Sequence, residues 1–217
     1  PLIQIGMHLV VKKSIVIGER MFGKKDILIV CALEQETQGQ LGDYDPDVIY
    51  TGVGKVNATY ELTTYLDSFG EYMPYKTVIN YGTAGSRKIK KGQLVDCTKF
   101  VQRDMDVTGL GFMRGETPYE MDPPITLQSP TDVFNPIGRN ATCGSGDSFV
   151  EDRSQLYGEV VDMEAYALAK VCYLKDVAFI SFKYITDGAD EQSHEDWEDN
   201  CSDGILEFKE KILTKIR

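Results

Sequence analysis

The stretch that decides the fold is 160–190, VVDMEAYALAKVCYLKDVAFISFKYITDGAD. Residues 165–174 place Ala165, Leu168, Ala169 and Cys172 at helical spacing behind a carboxylate, Glu164. Lys175-Asp176 breaks that pattern, and 177–185 is a mostly apolar run of strand length. A helix followed by a buried strand is half of a βαβ unit, whose strand tips open onto a ligand crevice. Asp187 falls just past such a tip, beside Gly188-Ala189, where a carboxylate can point at a bound molecule. An Asp after a strand is more often a turn-former or helix cap than an acid catalyst. The flanking sequence has to choose between these roles.

Upstream, DILIVCAL (26–33) is a continuous apolar run of the kind found in central parallel strands, and it leads straight into Glu34-Gln35-Glu36. Two acids at a strand tip suit a helix start. Their spacing sends Glu34 and Glu36 to different sides, so one can enter a site. A second strand at 47–50 ends in TGVGKVNA (51–58), before a helical pattern to about Phe69. Gly52 and Gly54 can cradle a phosphate on backbone N–H groups or simply make a tight turn. TVINY (77–81) reads as a third buried strand, followed by GTAG (82–85), whose small residues suit close backbone approach or a sharp turn. Residues 89–107 read as one or two strands. The Gly- and Pro-rich 109–140 reads as a mobile active-site flap or oligomer arm with some short strand. ATCGSGDSFVED (141–152) is a short strand ending in a glycine turn, where Phe149 can stack on a flat ring. A terminal amphipathic helix extends to about Ile216.

At 217 residues the chain suits one domain, taken as 26–217, behind an N-terminal extension 1–25. The formal charge of −11 argues against nucleic acid, and no run reaches the ~18 apolar residues of a membrane span. Segment 1–20 lacks the order of a signal peptide, which points to the cytoplasm. Five cysteines with no CxxC pair fit free thiols in a reducing compartment. With only His8 and His194, neither a histidine metal centre nor a Ser-His-Asp triad is easily built. No metal and no cofactor are expected.

Taken in order, ALEQE (32–36), TGVGKVNA (51–58), NYGTAG (80–85), GDSFV (146–150), DMEA (162–165) and ITDGADEQSH (185–194) resemble the 5′-methylthioadenosine/S-adenosylhomocysteine nucleosidases of the purine nucleoside phosphorylase superfamily. DMEA and TDGADEQSH are the specific pieces. The resemblance implies an α/β fold, a three-layer α/β/α sandwich with a mixed twisted central sheet, and a homodimer. It implies hydrolysis of the bond between adenine N9 and ribose C1′ in a small-molecule nucleoside. Asp187 would then protonate N7 and Glu36 would activate water. Glu164 would grip the ribose hydroxyls, with Met163 packing on the sugar. Phe149 would stack on the purine, the Val150 backbone would read its edge, and Trp197 would cover the 5′ group. Gly85 joins them at the GTAG turn.

Two site positions depart from the family pattern: Lys183 replaces an Arg, and Arg103 lies in a loop associated with the 5′ side. Both leave the 5′ group open. The rival on the same fold is a phosphorylase, which needs a phosphate pocket of Arg side chains and a glycine loop. Only Lys55, Lys183 and Arg103 are candidates for it. A non-catalytic nucleoside-binding protein would be expected to lack the acid or the water activator, and both are present.

Overall fold

The computed structural model describes residues 24–42, 46–152 and 157–216. β1 (Ile27–Cys31) is buried at every position because strands flank it and helices cover both of its faces. It pairs in parallel with β2 (Asp47–Tyr50) and β3 (Thr77–Gly85). Its alternating side chains divide between two cores. Leu28 and Val30 pack with α2 (Lys55–Asp67) and α3 (Ala165–Leu174). Ile27, Ile29 and Cys31 pack with Ile205 and Phe208 of α5 (Gly204–Lys211) and with the C-terminal Ile212, Leu213 and Ile216. Each fully buried Leu or Ile contributes roughly 1.5–3 kcal/mol. The result is the expected three-layer α/β/α sandwich with a mixed central sheet.

The remaining strands are β4 (Leu94–Gln102), β5 (Leu127–Gln128), β6 (Ala141–Ser145), β7 (Val160–Asp162) and β8 (Ala178–Asp187). β8 runs parallel to β3 and antiparallel to β4, β4 pairs β6, β6 pairs β7, and β7 returns to β3. The sheet closes at Gly85, which is in register with both Val161 and Asp187. That closure brings the ends of β3, β7 and β8 to one point.

Several expectations change in detail. GTAG is the last part of β3, because β8 supplies a ladder as far as Asp187. Asp187 is accordingly the final residue of its strand. Residues 89–107 hold one strand, and β7 is too short to be read from three residues. Segment 109–140 is pinned at several points. β5 pairs β4, and buried Asp96 accepts N–H bonds from the Arg139 and Asn140 backbones and from the Asn135 side chain. None of its residues lines the main cavity, so the flap reading is corrected. The terminal helix is two helices, α4 (Ser193–Asn200) and α5, and a last 3-10 turn. Gly204 lets α5 approach the sheet, since a Cβ there would lie 2.3 Å from the Tyr184 ring. The extension 1–25 lies outside the described residues up to position 23.

Candidate active site

The site forms where β1, β3, β7 and β8 end, around a cavity of about 220 Å³. Glu36 is on α1 (Glu34–Thr37), a single helical turn after β1. Glu34 is exposed, while Glu36 is 4% exposed and lines the cavity. Its Oε1 accepts bonds from the Thr83 N–H (2.7 Å) and hydroxyl (2.8 Å). Its Oε2 accepts one longer bond, from the Leu33 N–H at 3.2 Å, and so keeps capacity for a further donor.

Asp187 also faces the cavity and is 4% exposed. Oδ1 accepts the Ala189 N–H and Oδ2 the Thr186 hydroxyl, each at 2.9 Å. It therefore shapes its turn as well as addressing the pocket. A Cβ on Gly85 would fall 2.4 Å from Asp187 Oδ1, so glycine there makes room for the carboxylate.

Glu164 occupies the N-cap position of α3 but does not cap it. Asp162 Oδ2 takes the Ala165 N–H (2.9 Å) and the Ser145 hydroxyl takes that of Tyr166 (2.8 Å). Glu164 is left in the cavity, its Oε1 accepting the Gly54 N–H at 2.8 Å. Burial, reinforced by the charge of Asp162, pushes its carboxyl up to about 8. Asp162 behaves oppositely. Burial raises it, but the Lys183 ammonium at 2.8 Å and its other donors outweigh burial and hold it below the usual carboxylate range. Burial likewise lowers Lys183, and Asp162 more than restores it.

Met163, Phe149, Val150, Gly85, Trp197 and Arg103 all line the cavity. Lys183 does not. It is 1% exposed and committed to Asp162, which corrects its expected place among the substrate contacts. Arg103 is spent largely on the 146–148 turn, donating to the Gly146 carbonyl (3.0 Å), the Ser148 carbonyl and the Ser148 hydroxyl (3.1 Å). Thr83, Asp162 and His194 also line the cavity and were not singled out from the sequence. Thr83 was hidden in a run read only as small residues, and Asp162 is two positions before a more obvious acid.

The glycine turn before α2 has no N–H left for an anion at two key positions. Gly54 serves Glu164, and the Lys55 N–H serves Asp147 Oδ1 at 2.7 Å. The Lys55 ammonium meets Asp104 at 2.7 Å and Gln102 at 3.2 Å. Among the described residues, no group of three or more His, Cys, Asp or Glu is placed to hold a metal ion. No helix there is long and apolar enough to cross a membrane.

Comparison with known proteins is consistent with this geometry. The pattern of the Phosphorylase superfamily matches residues 32–216. A 5′-methylthioadenosine/S-adenosylhomocysteine nucleosidase of Marinomonas sp. is 32% identical over 183 residues, 74% of this chain and 76% of the relative. One of Exiguobacterium sp. is 31% identical over 175 residues, covering 72% and 73%. Among solved structures, a mutant Helicobacter pylori nucleosidase with 5′-methylthioadenosine in its active site superposes with a TM-score of 0.72 at 22% identity, over 84% of this chain and 96% of that one. A futalosine hydrolase mutant of the same species gives 0.73 at 20% identity, over 87% and 98%. Two enzymes with different names fit equally well, so backbone likeness does not select a substrate.

Proposed function

The chain belongs to the 5′-methylthioadenosine/S-adenosylhomocysteine nucleosidase family of the phosphorylase superfamily, and from that premise we propose how its residues cleave the adenine–ribose bond of a 5′-modified adenosine. The protein is an N-ribosyl hydrolase. Adenine leaves poorly until a ring nitrogen is protonated, so Asp187 delivers a proton to N7 as the N9–C1′ bond breaks. The ribose becomes oxocarbenium-like, and carboxylates nearby stabilise the developing positive charge. Glu36 takes a proton from water at its less occupied oxygen, Oε2, and the resulting hydroxide adds to C1′. Glu164 accepts the ribose hydroxyls with Met163 against the sugar. Phe149 and Val150 hold the purine, and Trp197 covers the 5′ substituent.

One observation carries hydrolysis over phosphorolysis. The cavity is lined by Glu36, Asp162, Glu164 and Asp187, while all three candidate cations already have partners. A phosphate would enter an acidic site where the Lys55 and Lys183 ammonium groups are paired and the Gly54 and Lys55 N–H groups already hold carboxylates. The test is adenine release from 5′-methylthioadenosine in phosphate-free buffer and again with phosphate. Equal release with free methylthioribose is expected; release that requires phosphate would overturn the reading.

The working assembly in this proposal is a homodimer in the cytoplasm. Val56 and Tyr60 are one turn apart on α2 and 77% and 65% exposed, and Val53, in the turn before the helix, is 42% exposed. Val53 also lines the cavity, so that apolar face adjoins the site. All five cysteines are free, which suits a reducing compartment. Sedimentation at micromolar concentration checks the dimer: a monomer would remove it.

A further inference from the structure

We propose that Trp197 is a positioning residue for the water-activating carboxylate, acting through the hydroxyl of Thr83. The inference rests on the hydrolase reading above. Trp197 Nε1 lies 2.9 Å from Thr83 Oγ1, and Thr83 Oγ1 lies 2.8 Å from Glu36 Oε1. The direction of this chain follows from chemistry alone. An indole N–H only donates, so the Thr83 hydroxyl accepts from Trp197, and its single proton is free for Glu36. An ionised carboxylate only accepts, which sets the same direction from the other end. The Thr83 backbone N–H adds a second bond to the same Oε1 at 2.7 Å. Oε1 is thereby anchored twice, and Oε2 is turned toward whatever water is to be activated.

Trp197 sits on α4, whereas Glu36 is on α1 and Thr83 on β3. Lys91 ties this helix to the β3–β4 turn through Asp196, and the Asp190 N–H bonds the Ser193 hydroxyl at 2.7 Å. The indole is therefore held by α4 and its neighbouring turns while its N–H reaches the Glu36 side of the cavity. A substrate whose 5′ group packs under the ring keeps that N–H on Thr83. One that displaces the ring releases the hydroxyl to rotate away from Glu36. In this way Trp197 couples the 5′ group to the rate of water attack as well as to binding.

Trp197→Phe keeps an aromatic ring but removes the N–H together with part of the indole's bulk, so the Thr83 variants separate the hydrogen bond from the packing. We expect kcat for 5′-methylthioadenosine to fall about tenfold, short of the ~10²–10⁴ typical of losing a general base outright, with KM changed by less than about threefold. Thr83→Val should lower kcat at least as far, and adding Trp197→Phe to it should cost nothing more, because the shared hydroxyl is gone. Thr83→Ser keeps the hydroxyl and should restore both kcat and its sensitivity to Trp197→Phe. A rise in KM with unchanged kcat, or full multiplication of the two losses, would overturn the proposal. Trp197 is the only tryptophan, so its fluorescence reports the contact without turnover. The emission maximum of the ligand-free protein should shift in Thr83→Val and stay in place in Thr83→Ser; no shift in Thr83→Val would also overturn it. Failure of wild-type protein to release adenine would instead count against the hydrolase reading and leave the fluorescence arm to decide the contact.

Discussion

Two glycine-rich segments, one a turn after β2 and one the last residues of β3, serve opposite ends in this molecule. GVG (52–54) precedes α2; its Gly54 N–H and that of the following Lys55 go to protein carboxylates, Glu164 and Asp147, while the Gly52 N–H bonds the Ala32 carbonyl. GTAG (82–85) closes β3 and frames the chemistry: Thr83 fixes Glu36, and Gly85 makes space for Asp187. Both look like ligand cradles as sequence. The comparison teaches that a glycine turn marks close approach without saying what approaches. At the first the visitor is the Glu164 carboxylate, and at the second it is that of Asp187, the proposed acid.

The largest expected effect tests the second turn. Asp187→Asn should reduce turnover by ~10³ or more while leaving the melting temperature near wild type, since Asn retains an acceptor for the Ala189 N–H. Near-normal adenine release would sink the assignment of the acid. Gly85→Ala comes next. The added methyl would displace the Asp187 carboxylate, and a misplacement of about 1 Å costs on the order of 10²-fold in kcat. If Gly85→Ala turns over normally, the close approach has no bearing on the chemistry.

Glu164 joins the two turns, and its variant sharpens the contrast. Glu164→Gln should lose about tenfold on a substrate with a 2′-hydroxyl and much less on its 2′-deoxy analogue, as one removed hydrogen bond predicts. Equal losses would remove its ribose role. Its raised carboxyl also has a stability consequence. The folded state holds this proton more tightly than the unfolded chain, so its stabilising contribution is full below the ordinary glutamate range. That contribution is lost as pH rises toward about 8. Gln cannot ionise, so the melting temperature of Glu164→Gln should gain on wild type by several degrees between pH 5 and pH 8.5; a constant difference would contradict it.

The smallest effect belongs to the first turn. Asp147→Ala removes the acceptor of the Lys55 N–H at the start of α2 and should cost about 1 kcal/mol of stability. Adenine release should stay within about threefold of wild type and remain independent of phosphate. A collapse in turnover would mean that the first turn is part of the reaction after all.

Much of this was legible along the chain. The apolar runs of β1, β3 and β8 and the small-residue spacing of α3 are local periodicities, and a strand or helix period survives in one dimension. The three carboxylates were legible because each stands near an element boundary, Glu164 and Asp187 within specific motifs and Glu36 just past the β1 run. What escaped reading lies across the sheet. Lys183 looked like a substrate contact until β8 placed it against Asp162. The 109–140 segment looked mobile because its anchors, Asp96 and β4, are distant in sequence. Thr83 had no signal of its own beyond a small side chain.

The sequence by itself determined the order of the main strands and helices, short of β7 and the division of α4 from α5, the residue types available for acid, base and ribose recognition, and the family to which they belong. Only the tertiary structure decided which anion each N–H group holds, which cations are already spent, and that an indole on α4 reaches the carboxylate on α1 through Thr83. The reason is physical. Secondary structure and motif chemistry depend on neighbours within a few residues, whereas hydrogen-bond partners and desolvation depend on what the closing sheet brings within 3 Å, and here those partners stand up to 114 residues apart.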